Sequence, residues 1–159
     1  MTEGVWDTIP NSVKAGEPLD ISQLQYMETG AADALAWEGG VVVIPDVTNG
    51  GMKKCDANAS VLKKVGIAHF NGKAVDVRMG AYFVAPAKVW VKYVQAATLK
   101  NNTLLKTKND GTFEATASNT DAFARILHKL GESGGGTGEL QTDIVQNDYI
   151  AIQLLEGGT

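Results

Sequence analysis

Two histidines, one cysteine and eighteen acidic residues are the groups with which this 159-residue chain could do chemistry. His69 and His128 belong to no HxH, HExxH or CxxC spacing, so they do not read as metal ligands. Cys55, in "MKKCDAN", has no histidine near it in sequence to activate a thiolate, and a half-buried small residue is the plainer reading. As the sole cysteine it also excludes an intrachain disulfide. Asp46, Asp76, Asp110, Asp121, Asp143 and Asp148 offer carboxylates, yet nothing in the sequence brings two of them together with a polarised partner. No serine occupies a GxSxG elbow. "SGGGTG" at 133–138 lacks the GK[ST] of a phosphate loop and reads as an exposed, flexible connection. The expectation is a chain with no catalytic residue, no metal site and no cofactor.

Aromatic residues offer binding rather than catalysis. Trp6, Trp37 and Trp90 would suit a stacking platform for a carbohydrate, but Trp90 lies in a strand-like run where packing is the commoner use. Trp6 sits in a Pro-flanked stretch with no core of its own to join. It either packs back on its own domain or anchors an arm to a neighbour.

Composition bounds the partners. Fourteen Lys and Arg against eighteen Asp and Glu give a net charge of -4, poorly suited to gripping a phosphate backbone, so no nucleic-acid partner is expected. Apolar residues make up 44% and charged residues 20%, an ordinary globular mixture. The opening "MTEGVWDTIPNSV" has no signal-peptide pattern, and no run approaches the ~20 apolar residues of a membrane helix. The expectation is a soluble protein made in a cytoplasm, without a membrane partner.

These residues must be positioned by short elements in three zones. Residues 1–38 read as an N-terminal arm with one short helix in "LDISQLQYMETG", Asp20 its N-cap and Gly30 its stop, and with room for one more turn in "AADALAWEGG". Pro10 and Pro18 forbid a longer early helix. Residues 39–159 read as one β-domain. "GVVVIP" has strand length, and Asn71-Gly72 between apolar runs signals a hairpin. "AYFVAPAKVWVKYV" alternates, and "TLLKTKNDGTFEATA" is strand, turn and strand, with Gly111 free to take a positive φ. "DYIAIQLL" closes the chain as a strand setting Ile150, Ile152 and Leu154 against Tyr149, Ala151 and Gln153. For 123–130 periodicity favours a helix, through Phe123, Ile126, Leu127 and Leu130. About eight to ten strands punctuated by turns predict an antiparallel β-sandwich or small β-barrel, with an extended arm and at most a short helix.

The order of these elements resembles a known family. "ALAWEGGVVVIPDVTNGGMKKCDANASVLKKVGIAHF" is similar to the opening of the capsid decoration, or cement, proteins of tailed bacteriophages, in which an arm leads to a Gly-then-VVV strand, a turn and a "VGIA" strand. "AATLKNNTLLKTKNDGTFEATA" resembles that family's strand, D-G, strand element, and "ARILHKLGE" with "NDYIAIQLL" its closing strand pair. The resemblance covers roughly residues 35–156 and implies a strand at 123–130, which is the reading adopted. The insert "GESGGGTGELQTD" and an arm of about 35 residues depart from the pattern. What the resemblance implies is a non-enzymatic virion protein on the outer surface of the phage head, commonly a trimer, clamping neighbouring major capsid subunits against internal DNA pressure. In "GVWDTIPNSV" the residues Val5, Trp6, Ile9 and Val13 would then form the capsid-binding arm. Two other readings stand beside it: another β-rich virion component such as a tail-tube or neck protein, and a β-sandwich glycan-binding module.

Overall fold

The structure, a computed structural model, describes residues 12–31, 37–48, 50–56, 65–69, 79–130 and 143–156. Ten strands form two antiparallel five-stranded sheets. The first has the order β1-β5-β4-β2-β3, from β1 (Met27–Ala31), β2 (Val42–Pro45), β3 (Met52–Lys54), β4 (Gly66–Ala68) and β5 (Met79–Phe83). The second has the order β6-β10-β9-β7-β8, from β6 (Lys88–Lys92), β7 (Leu104–Thr107), β8 (Phe113–Thr116), β9 (Ala124–Lys129) and β10 (Tyr149–Leu154).

Alternation along each strand makes the sandwich. Val42, Ile44, Ile67 and Phe83 of the first sheet join Val89, Val91, Ile126, Ile150, Ile152 and Leu154 of the second in one buried core. Removing such a side chain from water stabilises the fold by about 1.5–3 kcal/mol each. Residues of opposite parity on the first sheet, Val43, Ala68 and Tyr82, meet Trp37 and Met52 in a second, smaller cluster on its outer face. That explains why "VVV" is an unbroken apolar run: β2 is covered on both faces.

Trp37 is 2% exposed and lies over Gly80, where a Cβ would stand 2.1 Å from its ring. Only a glycine admits the indole there. The β7–β8 hairpin forms as read, with Lys106 opposite Glu114 and Gly111 at φ 81. The carbonyl of Gly111 accepts a 2.9 Å bond from the Val42 N–H, which ties this turn to the first sheet.

The early helix needs correction. Asp20 does cap a helix, accepting from the Ser22 N–H at 2.9 Å, but the helix is a 3₁₀ turn over Ile21–Tyr26. It ends at Met27, whose N–H bonds the Leu24 carbonyl, rather than at Gly30. "METGA" is instead β1, with Gly30 opposite Gly80. Residues 16–31, which the sequence reading places with the arm, are hydrogen-bonded into both sheets. The strand adopted for 123–130 is present as β9, against the helical periodicity of that segment. A turn at Asn71-Gly72, the 133–138 loop and the extra turn at 32–36 lie outside the described residues, although β4 and β5 on either side of the first do pair, Ile67 with Phe83.

Candidate interaction surface

The groups singled out for chemistry are placed by structural needs. Cys55 is 1% exposed within the main core. His69 meets the Gly16 carbonyl through Nδ1 at 2.9 Å and stands edge-on to Phe83. His128 stands edge-on to Trp90, its Nδ1 against the Lys129 carbonyl. The two histidines thus serve different sheets.

The carboxylates mostly order turns. Asp46 accepts from the Thr48 N–H, Asp110 from the Thr112 N–H and hydroxyl, and Asp148 from the Val145 N–H. The Thr112 hydroxyl, more than any other cause, holds the Asp110 carboxyl below its ordinary pKa. The Ser22 hydroxyl does the same at Asp20. Asp143 pairs with Lys100 at 2.5 Å on the surface. Asp121 is partly buried, and Asp76 lies outside the described residues. Burial, with a bond to Glu28 second, pushes the Tyr82 phenol up to about 12.

Among the described residues no group of three or more His, Cys, Asp or Glu is placed to hold a metal ion. A shallow depression of about 200 Å³ is lined by Lys129, Leu130, Asn147, Asp148 and Tyr149. It is smaller than the ~300–1,000 Å³ typical of ligand pockets. Among the described helices none is long and apolar enough to cross a membrane.

What the fold positions instead is an edge. Residues 16–19 run along β6 as an added strand: the Gly16 N–H bonds the Trp90 carbonyl, the Trp90 N–H the Glu17 carbonyl, and the Leu19 N–H the Lys88 carbonyl. The Gln23 side chain then accepts from the Lys88 N–H at 2.8 Å, which explains why a glutamine is buried there. The 3₁₀ turn crosses to the other sheet, where β1 pairs with β5. This strap, 16–31, therefore supplies an edge strand to both sheets.

The root of the strap is tightly held. Gly16 has φ +92, and a Cβ there would stand 2.5 Å from the Ala68 carbonyl oxygen, 2.6 Å from that of His69 and 2.8 Å from the Gly40 nitrogen. All three are backbone atoms, so nothing nearby can rotate aside.

Of the four arm residues named from the sequence, Val13 is partly buried just before this root. Val5, Trp6 and Ile9 lie outside the described residues. Trp37 and Trp90 are each 2% exposed, so neither offers a face to a sugar. The structure adds residues that the sequence reading missed. Ile21 and Leu24 are 64% and 41% exposed on one side of the 3₁₀ turn, and Val47 is 93% exposed on the turn between β2 and β3. Strand addition by Gly16–Leu19 carried no sequence signal beyond the breaker "GEP", because its partner, β6, is some seventy residues away.

No protein-family model matches the chain, and no curated protein matches it.

Proposed function

We propose that this chain is a structural virion protein that binds the outside of a mature phage head and clamps neighbouring major capsid subunits, acting without catalysis and as a homotrimer. The observation that carries the reading is the anchored root of the N-terminal segment. Strand addition to β6 and the crowded Gly16 hold the chain firmly at residues 16–19, directly after the segment that the sequence reading assigns to the arm. That segment carries Val5, Trp6 and Ile9. A clamp needs a firmly held attachment point between its body and the residues that grip its partner.

The two five-stranded sheets would supply the body of such a protein. Binding surface that exists only in the expanded lattice would stabilise that lattice by mass action. Main-chain pairing of the arm with a capsid sheet edge would give affinity with few sequence demands. A glycan-binding reading is disfavoured by the burial of Trp37 and Trp90. A tail or neck location would be distinguished by electron microscopy of labelled particles.

The test is co-sedimentation with undecorated expanded shells. The parent protein should pellet with the shells and saturate. Trp6→Ala should weaken binding by at least ~2 kcal/mol, about 30-fold, as for an aromatic hot spot, while the free domain melts as before. Deleting residues 1–14 should act in the same direction and more strongly. Equal coating by both variants, or unfolding of the free protein by Trp6→Ala, would refute this account of attachment.

A further inference from the structure

We infer that Asp110–Gly111 is a latent isomerisation site, and that the Thr112 hydroxyl, oriented by Gln95, keeps it from reacting. The inference stands apart from the virion reading. Asp110 is the one aspartate of the chain that glycine follows. Glycine has no Cβ to hinder its own nitrogen, so in an Asp-Gly pair that nitrogen can reach the aspartyl carboxyl. The pair sits at the tip of the β7–β8 hairpin, with Asp110 exposed to water and Gly111 at φ 81. The Gly111 N–H makes a long bond of 3.4 Å to the Lys108 carbonyl, so the attacking nitrogen is loosely engaged.

The reaction removes one water and returns one. The Gly111 nitrogen attacks Cγ of the protonated Asp110 carboxyl and gives up its proton, the carboxyl hydroxyl leaves as water, and a five-membered succinimide remains. Water then adds to one of the two ring carbonyls. Opening at the former carboxyl restores aspartate. Opening at the former backbone carbonyl leaves the chain running through Cβ and Cγ, one methylene longer. Nothing is oxidised or reduced.

The turn opposes the first step. Asp110 Oδ1 accepts from the Thr112 N–H at 3.0 Å and from the Thr112 hydroxyl at 2.5 Å. Both bonds favour the carboxylate, the form that has no hydroxyl to lose, because a bond to a charged acceptor is stronger than one to a neutral acceptor. The hydroxyl has one proton to give, and its surroundings direct it. Gln95 Nε2 donates to Thr112 Oγ1 at 3.0 Å, so Oγ1 is already an acceptor there and its own proton goes to Asp110. The Gln95 amide is set in turn by Lys108 Nζ, which can only donate and meets Oε1 at 3.2 Å. Lys108 also helps, after the Thr112 hydroxyl, to hold the Asp110 carboxyl below its ordinary pKa.

What isomerisation would damage is the seam between the sheets. The N–H of Val42, a fully buried residue, bonds the Gly111 carbonyl at 2.9 Å. The Lys54 stem lies across the same glycine, where a Cβ would stand 2.6 Å from its Cε. A methylene inserted just before Gly111 would shift that carbonyl under a packed side chain and leave a buried N–H without its acceptor.

The experiment incubates the folded parent and its variants from acidic to neutral pH and counts isoaspartate at residue 110 by peptide mapping, in which the isomer changes retention but not mass. A synthetic peptide of residues 106–115 supplies the unprotected rate. The folded parent should isomerise more slowly than the peptide. Thr112→Val should react about tenfold faster than the parent, as expected when one charge-assisted bond no longer holds the reactant. Its rate profile should also move to higher pH, because the carboxyl then protonates more readily. Thr112→Ser keeps the hydroxyl and should stay close to the parent. Gln95→Met leaves the turn itself intact and should raise the rate in the same direction as Thr112→Val, so it carries the test alone if Thr112→Val does not fold. A parent as fast as the peptide, a folded Thr112→Val or a Gln95→Met no faster than the parent, or a Thr112→Ser as fast as Thr112→Val would overturn the inference.

Discussion

Replacing Gly16 by alanine tests whether the strap is held by crowding at its root. Two costs follow from the geometry. A non-glycine residue at φ +92 pays a steric penalty of about 1–2 kcal/mol. Placing a methyl 2.5–2.8 Å from three backbone atoms is overpacking, which typically costs about 1–3 kcal/mol more. The protein can limit the total by releasing the strap. That would sacrifice four hydrogen bonds, those of the Gly16, Leu19, Trp90 and Lys88 N–H groups, at about 1 kcal/mol each. The expected loss is therefore about 2–4 kcal/mol.

Gly50 supplies an internal control. It has φ +77 with nothing within 4 Å of a built Cβ, so Gly50→Ala should show only the conformational part, about 1–2 kcal/mol. Urea unfolding of both variants measures the difference, provided the m-values agree. Amide exchange at Leu19 and Trp90 reports whether the strap has lifted, because those N–H groups are bonded across the strap–β6 seam. If Gly16→Ala is no less stable than Gly50→Ala and both amides exchange as in the parent, the root is not crowded and the reasoning fails.

Other outcomes follow from the same geometry. Tyr82 has its folded-state pKa raised to about 12, so its contribution to stability is complete below pH 10 and is lost as the pH rises from there towards 12. Tyr82→Phe should flatten that part of the stability profile, and an ultraviolet phenolate titration should find Tyr82 and Tyr93 titrating late, with one of the two lost in the variant. Asp20 and Asp110 have lowered folded-state values, so what they contribute is present above the unfolded carboxyl pKa near 3.8 and disappears as the pH falls through the lower folded values. Asp20→Asn with Asp110→Asn should make acid unfolding less steep, followed by circular dichroism. Cys55→Ser, His69→Gln and His128→Gln should leave shell binding within about threefold, under ~1 kcal/mol, although Cys55→Ser puts a hydroxyl into the main core and should lower the melting temperature. One equivalent of bound metal, lost in the histidine variants, would refute that expectation.

The β-sandwich was legible wherever local chemistry and tertiary burial agreed. "NDG" made its turn because Gly111 could take φ 81, and "YIAIQL" placed Ile150, Ile152 and Leu154 inward as its alternation required. Alternation failed in β9 for a specific reason. The register with β10 shifts between Ala151 and Ile152, so Ile152 faces Ile126 while Ala151 faces His128, and Leu127 is the extra residue. A bulge of this kind resets the two-residue period, and the reset left a spacing that imitates a helix. β1 was unreadable for the opposite reason. "METGA" has weak strand propensity and is a strand because β5 pairs with it along five residues. The candidate surface was least legible of all. The exposure of Ile21, Leu24 and Val47 depends on what the rest of the chain leaves uncovered, which no local pattern encodes.

The position of β10 in the second sheet bears on the order of events during synthesis. β10 is the last of the described strands yet sits between β6 and β9, bonded to both. At ~5–20 residues per second, β6 precedes it from the ribosome by several seconds. Over that interval β6 can acquire the strap on its outer side, because Gly16–Leu19 has already been made, but its inner side has no partner. In the nascent sheet, β6 and β9 border a slot one strand wide, about 9–10 Å between the two flanking backbones. Both walls present unpaired N–H and C=O groups, a template that any extended peptide can enter. The native occupant, "YIAIQL", brings Ile150, Ile152 and Leu154 into the core as it closes the slot, so the final strand added is also the one that joins the two halves of its sheet.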